Sequence, residues 1–184
     1  MMDKLKRIRL LATDVDGVLT DGSIIFGPVG DIKAFNVLDG LGMNVAAAAG
    51  LEVAWITGNC SAAVTERASS LGVREVHQGA QYKSVVLKAL AERKALAREE
   101  IAYIGDDLND LPAFEVAGVR FAVANAAPEV KAAADFVTER PGGRGAVREV
   151  IEMILKAQSR WDDAVQAFLQ GLRLAQEKAK APQI

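Results

Sequence analysis

The strand-like run Ile8–Thr13 is followed at once by Asp14-Val15-Asp16-Gly17, and no other stretch constrains the fold as much. A short apolar run bounded by turn residues reads as a buried strand. Here it delivers two carboxylates, two residues apart, to its end, and Gly17 lets the backbone turn away. One carboxylate of such a pair can attack a phosphorus centre or hold a metal. The other can move a proton. An Asp-x-Asp-Gly run also suits an ordinary strand-ending turn, so its meaning depends on what the rest of the chain supplies.

Downstream, strand and helix patterns alternate. Ser23–Gly27 and Asp31–Asn36 read as a hairpin around Gly27-Pro28-Val29-Gly30. Leu41–Ala49 reads as an Ala-rich helix stopped by Gly50, Leu51–Thr57 as a strand, Ser61–Leu71 as a helix ended by Gly72, and Val73–Val76 as a short strand. Gln81–Ala97, Asp110–Ala117, Pro128–Ala134 and Gly145–Ala157 read as helices, with strands at Ile101–Ile104, Val119–Val123 and Phe136–Val137. The alternation predicts an α/β fold with a doubly wound, mainly parallel, Rossmann-like sheet. A β-hairpin is inserted at about 23–36, and no stretch is long enough for a large cap domain. In such sheets the chemistry sits outside the carboxyl ends of the strands, where Asp14, Thr57, Asp106 and Asn125 fall. Residues 1–158 are expected to form this domain and 159–184 a helical tail.

The 184 residues are 51% hydrophobic but 5% aromatic, which suits helices packed closely on a sheet. A net charge of −2 shows no sequence-wide basic bias, so neither nucleic acid nor a membrane surface is an expected partner. No uncharged apolar stretch reaches membrane-spanning length, and the apolar run after the basic start is too short for a signal peptide. The single Cys60 excludes an internal disulfide framework, so a cytoplasmic protein is expected.

Three later segments supply what the carboxylate pair would need. Ile56-Thr57-Gly58-Asn59 ends a strand in a hydroxyl and opens a turn whose amides can cradle an anion; a plain helix cap would look the same. Lys83 stands near a helix start, where the macrodipole opposes a cation. It either serves a nearby anion or is a solvated surface lysine. Gly105-Asp106-Asp107-Leu108-Asn109-Asp110 gathers three carboxylates between a strand and a helix. Adjacent acids such as Asp106 and Asp107 repel unless a cation holds them. Mg²⁺ takes one or two carboxylates and completes its shell with water and phosphate oxygens. Asp110 by itself would serve as a helix cap.

In order and spacing the four segments resemble the haloacid dehalogenase-like phosphatase superfamily over roughly residues 8–137. A finer resemblance, over roughly residues 9–157, is to the 3-deoxy-D-manno-octulosonate 8-phosphate phosphatase family. It is carried by Asp14-Val15-Asp16-Gly17-Val18-Leu19-Thr20-Asp21-Gly22, the hairpin, Ala34-Phe35-Asn36-Val37 with Asp39-Gly40, and Gly142-Gly143-Arg144-Gly145-Ala146-Val147-Arg148-Glu149. The resemblance implies a Mg²⁺-dependent phosphoric monoester hydrolase of lipopolysaccharide biosynthesis. Asp14 would be the nucleophile, forming an aspartyl-phosphate. Asp16 would protonate the leaving sugar oxygen and then activate water. Thr57 and Lys83 would bind the phosphoryl oxygens. The metal would be held by Asp14, Asp106 and the backbone carbonyl of Asp16, with Asp107 and Asp110 orienting waters and Lys83. Gly58 and Asn59 would line the substrate, and Asn36, Asp39, Gly40 and Arg67 would face the sugar. A homotetramer built through the hairpins is also implied.

The family usually carries Arg where Leu38, Asn44 and Asn59 stand here. Arg reads a sugar-acid carboxylate with a bidentate fork that Leu and Asn cannot reproduce; Lys33 or Arg144 of a neighbouring subunit would be the substitute. The expected substrate is 3-deoxy-D-manno-octulosonate 8-phosphate, with a related nine-carbon keto-sugar-acid phosphate or another small sugar phosphate as the alternative. A receiver domain that stores an aspartyl-phosphate, or a non-catalytic binding protein, is the remote alternative. In the tail, Trp161, Val165, Phe168 and Leu172 form an apolar helical stripe suited equally to its own domain or to another subunit. Cys60 is read as a small packed residue and Trp55 as core. Gly142–Gly145 is read as an anion nest or a plain turn.

Overall fold

In the computed structural model, which describes residues 2–28 and 30–180, every residue of strand β1 (Leu10–Thr13) is buried, as a strand covered on both faces must be. β4 (Glu52–Ile56) and β6 (Ile101–Gly105) flank it in parallel, with Leu11 opposite both Val53 and Ala102. β5 (Glu75–His77), β7 (Val119–Ala122) and β8 (Phe136–Val137) extend the parallel sheet to the order β5-β4-β1-β6-β7-β8. The chain is thus a doubly wound α/β protein. It winds outward from β1 through β4 and β5, then crosses back and winds the other way through β6 to β8. The reversal falls between β1 and β6, and ligands of such sheets bind outside the strand ends at that point.

Helix α1 (Met2–Leu5) precedes the sheet. Its strands are linked by α2 (Val37–Ala48), α3 (Ala62–Ser70), α4 (Lys83–Arg93), α5 (Leu111–Phe114) and α6 (Pro128–Ala133), and α7 (Ala146–Ala157) follows β8. Several boundaries differ from expectation for identifiable reasons. α2 starts at Val37 and not Leu41, because the Asn36 side chain caps it, accepting the Leu38 amide at 2.9 Å. α4 stops at Arg93, and Ala95 just beyond adopts a left-handed φ of 50°. The expected helix Asp110–Ala117 is a 3-10 turn, Leu108–Asp110, leading into the four-residue α5. The hairpin strands, β2 (Ile25–Gly27) and β3 (Gly30–Ile32), are shorter than expected. Val29, in the expected turn, lies outside the described residues, as do 181–184 of the expected tail.

α7 buries Val147, Val150, Ile151, Ile154 and Leu155 along one face. The tail forms helix α8 (Trp161–Lys180), which packs against α2 and α7 of its own chain. The Trp161 ring centroid lies 5.0 Å from the Arg148 guanidinium carbon and 5.6 Å from the Lys156 ammonium, and Ala164, Val165 and Phe168 pack on the core. Further along, Leu169, Leu172 and Leu174 are exposed. Trp55 is buried in β4 and stacks on Phe35. Among the described residues, no helix is long and apolar enough to cross a membrane.

Candidate active site

The carboxyl ends of β1, β4 and β6 open into a cleft of about 290 Å³, lined by Asp14, Asp16, Gly22, Thr57, Gly58, Asn59, Lys83, Asp106, Asp107 and Asn109. Asp14 is the first residue beyond β1. Its Oδ1 accepts the Val15 amide at 2.7 Å, and its Oδ2 lies 2.9 Å from Lys83 Nζ. Lys83 is the first residue of α4, and its side chain is buried. A buried lysine facing the helix dipole is tolerated here because Nζ also donates to Asp110 Oδ1 at 2.6 Å. Burial disfavours the ammonium, but Asp14 and Asp110 outweigh that and raise its pKa above the ordinary lysine value.

Asp110 has no spare capacity. Its Oδ1 also accepts the Tyr103 hydroxyl at 2.8 Å, and its Oδ2 takes the Asp106 amide at 2.8 Å and the Asp107 amide at 3.4 Å. It therefore braces Lys83 and the acidic loop from below. Asp106 is the opposite case: its Oδ1 is buried and has no hydrogen-bond partner. Oxygens of Asp14, Asp106 and Asp110 lie within 4.8 Å of one another. Burial and the mutual repulsion of these acids push the carboxyls of Asp14 and Asp106 above the usual range, with Lys83 opposing. One lysine among three close carboxylates leaves excess negative charge, and one Asp106 oxygen is left without a partner. An oxygen-ligated divalent cation satisfies both.

Backbone shape permits this crowding. Gly17 adopts φ +92°, and a Cβ there would sit 2.0 Å from Asp106 Oδ2. Gly17→Ala is expected to destabilise the fold by about 1–3 kcal/mol through left-handed strain. It also displaces Asp106, so Mg²⁺ titration followed by activity shifts to higher concentration. An unchanged Mg²⁺ dependence would show that Asp106 is not a ligand. Gly142 and Gly143 pack directly on this loop: a Cβ on Gly142 would meet the Gly17 carbonyl at 1.7 Å, and the Gly143 amide donates to the Val18 carbonyl at 2.9 Å. Asn125 Oδ1 accepts the Gly142 amide at 2.8 Å. The Gly-rich segment is a brace for the Asp14–Asp21 loop, a role nearer to the plain turn than to an anion nest.

Thr57 is buried at the end of β4, and its hydroxyl accepts the Asn59 amide at 3.3 Å. Of the expected substrate contacts, Gly58 and Asn59 line the cleft. The other four line a separate crevice of about 10 Å³ beside Trp55. Asn36 caps α2 and donates to the Gly143 carbonyl at 3.2 Å. Asp39 is buried and accepts the Arg148 amide at the start of α7 at 2.8 Å. Gly40 lies against Arg67, where a Cβ would meet Nη2 at 2.4 Å. In this chain they knit α2 to α3 and α7. Lys33, expected to serve a neighbour's substrate carboxylate, is instead buried against Asp16 and Asp31 of its own chain. Cys60 is exposed, not packed.

Two contacts of the site escaped the sequence reading: Tyr103 with Asp110, and Lys33 with Asp16. The Tyr103 hydroxyl was hidden in an apolar strand; the available signal was that a buried tyrosine hydroxyl needs a partner, and the acidic loop begins two residues later. Lys33 carried no local signal, because its partner Asp16 is met only through the hairpin's fold-back.

Residues 53–151 match the sequence profile of the haloacid dehalogenase-like hydrolases. The chain is 47% identical over 165 residues to the 3-deoxy-D-manno-octulosonate 8-phosphate phosphatase of Escherichia coli (strain B / BL21-DE3), covering 89% of this chain and 88% of that one. It also superposes on the 3-deoxy-D-manno-octulosonate 8-phosphate phosphatase of Moraxella catarrhalis, determined with a magnesium ion, a phosphate ion and a KDO molecule. The TM-score is 0.86 with 43% identity, over 91% of this chain and 97% of that one. The cobalt-bound deoxy-D-mannose-octulosonate 8-phosphate phosphatase of Haemophilus influenzae gives a TM-score of 0.85 with 42% identity, over 90% and 99% of the two chains. With the acidic cluster, the switch-point cleft and these likenesses in agreement, the chain belongs to the haloacid dehalogenase-like hydrolase family, among the 3-deoxy-D-manno-octulosonate 8-phosphate phosphatases.

Proposed function

We propose that this chain hydrolyses 3-deoxy-D-manno-octulosonate 8-phosphate to the free sugar acid and phosphate, in a Mg²⁺-dependent reaction through an aspartyl-phosphate. The observation that carries the reading is the division of labour between two carboxylates in one cleft. Asp14 is buried and fixed by the Val15 amide and Lys83. Asp16 is more accessible, with its side chain 19% exposed at the cleft mouth. A fixed acid suits in-line attack, and an accessible one suits traffic of protons with leaving group and water.

In the first half-reaction Asp14 attacks phosphorus, the phosphorus–sugar oxygen bond breaks, and Asp16 gives its proton to that oxygen. In the second, water attacks the aspartyl-phosphate, Asp16 takes the water's proton, and Asp14 is released. Lys83 and the Thr57 hydroxyl offer positive charge and a donor to the phosphoryl oxygens, where charge accumulates. Asp14, Asp106 and the Asp16 carbonyl would hold Mg²⁺, which would supply charge neutralisation at the phosphoryl group and let Asp14 remain ionised beside a phosphate dianion. Asp107 lines the same cleft, where it would orient water beside the metal.

The proposal includes a cytoplasmic homotetramer assembled through the hairpins. What supports the assembly is the exposure of Ile24, Ile25, Phe26, Ile32 and Val37 on and beside β2 and β3, an apolar patch that a two-stranded hairpin does not leave to water without reason. It also takes residues 1–158 as the catalytic unit and 159–184 as its appended tail. Phosphate release from a panel of sugar phosphates in Mg²⁺ tests the substrate. The eight-carbon sugar-acid phosphate is expected to exceed hexose phosphates by at least ~10²-fold in kcat/KM, the discrimination that a lost charged contact supplies. Preference for the nine-carbon homologue would move the chain to the alternative substrate. Preference for hexose phosphates or nucleotides would overturn the sugar-acid assignment.

A further inference from the structure

The nucleophile and the proton carrier are held by different parts of the molecule. Asp14 is fixed by the core, through the Val15 amide and α4. Among the described residues, the Asp16 carboxylate makes two hydrogen bonds, neither to the core sheet. Its Oδ1 accepts from Lys33 Nζ, and its Oδ2 accepts from Asn59 Nδ2 at 2.9 Å. Lys33 directly follows β3, at the base of the hairpin, and only 2% of its side chain is exposed. It spans from Asp16 to Asp31 Oδ2, 3.3 Å away, and Asp31 Oδ1 accepts the Ser61 hydroxyl at the entrance to α3 at 2.9 Å. The hairpin is thus latched to α3 through Asp31 and reaches the acid/base through Lys33.

We propose that Lys33 and Asn59 form a two-point clamp that positions the Asp16 carboxyl for proton transfer, with Lys33 as the positioning residue through which the hairpin controls that step. This rests on the phosphatase reading above. Asp16 is followed by Gly17 at φ +92°, so its side chain leaves a loop and not a strand, and without a clamp it is free to rotate. A carboxylate has about four lone-pair sites, so two donors leave room for the leaving-group oxygen or water. Asn59 has a task here that needs no substrate carboxylate, which explains why an amide is adequate at that position.

A series of aryl phosphates from p-nitrophenyl to phenyl phosphate tests the clamp without depending on the sugar. None carries a carboxylate for Lys33 to bind. The parameter kcat/KM reports the first half-reaction, in which Asp16 protonates the leaving oxygen. p-Nitrophenolate leaves as a stable anion and needs little help, whereas phenol does not. In Lys33→Met, kcat/KM for phenyl phosphate is expected to fall ~100-fold, the size of a lost general-acid contribution. For p-nitrophenyl phosphate it should fall less than about 3-fold, so the dependence on leaving-group basicity steepens. Lys33→Arg, which keeps the charge, should restore most of the shallow dependence. Equal losses on all substrates would mean a purely structural lysine and overturn the clamp, as would an unchanged slope. A wild-type protein that releases no phosphate from any member of the series would overturn the phosphatase reading as well, which separates the two failures.

Discussion

Asp14→Asn is expected to lose ~10⁴-fold or more of the phosphatase activity while folding as well as the wild type or better. The amide has the size of the carboxylate, and its single oxygen can still accept from the Val15 amide or from Lys83, though not from both where they now stand; it cannot form an acyl phosphate, so the two-step route closes. The stability sign follows from the crowding. The Asp14 carboxyl titrates above its ordinary value because burial and Asp110 oppose its charge more than Lys83 supports it. An acid whose folded pKa lies above its unfolded one destabilises the fold once pH rises past the unfolded value. Removing that charge at neutral pH removes the penalty and relieves Asp106, which Asp14 also pushes upward. Without Mg²⁺ the variant should gain on the order of 1 kcal/mol, or about 2–4 °C in Tm for a domain of this size. Phosphate release in Mg²⁺ and a melt in chelator measure the two effects. Retained turnover above about one percent of wild type would remove Asp14 from the nucleophile's role.

That pattern, a stability cost concentrated where the chemistry is, explains which features the sequence made legible. Asp14, Asp16, Thr57 and Asp106 were readable because each sits beside a local signal, an apolar strand ending abruptly or a glycine at a strand–helix turn, whereas Lys83 was readable only through the order and spacing it shares with the family. The parallel sheet was readable because β1 and β6 are unbroken buried runs. The hairpin was readable as an element but not in its extent, since both faces of β2 and β3 are partly exposed and no buried face sets the register. What local pattern could not reveal was pairing across the fold. Asp39 finds the start of α7, 109 residues onward, Lys33 finds Asp16 through a chain reversal, and α8 finds α2. The apolar stripe of the tail was visible, but a stripe specifies that something is covered and not which surface. Asn36, Asp39 and Gly40, in a segment that carries the family resemblance, and Arg67 were read as sugar contacts because the resemblance implies it. In the structure Asn36 caps α2, Asp39 accepts an amide at the start of α7, and the Arg67 side chain lies against the open face of Gly40, so each of these residue types also has a task within the fold.

Lys83→Met should be the most damaging substitution to the fold of the ligand-free protein and nearly as damaging to turnover. Lys83 stands with its side chain 2% exposed between Asp14 and Asp110. Methionine fills much of the same volume but leaves buried carboxylates facing one another, and breaking a buried ion pair by removing one partner typically costs about 3–5 kcal/mol. At roughly 2–4 °C per kcal/mol, the melting temperature in chelator should fall by about 10 °C. Turnover should drop ~10²–10³-fold, because a donor aimed at accumulating phosphoryl charge is gone. The distinguishing feature is the response to Mg²⁺. In the wild type, Lys83 already neutralises part of the cluster, so the ion competes with it for the same field. In the variant the ion faces the carboxylates alone and binds more tightly, and stabilisation by a ligand grows as its concentration exceeds Kd, reaching about 2.7 kcal/mol at a hundredfold excess. Melts with and without Mg²⁺ should therefore show a larger metal-dependent rise in Lys83→Met than in the wild type, with activity remaining low in both conditions. Equal rises would mean that Lys83 and the metal do not share the charge of Asp14 and Asp106. An undiminished melting temperature in chelator would mean that Asp14 and Asp110 need no cation at all, against the buried geometry that places both within 3 Å of one ammonium group.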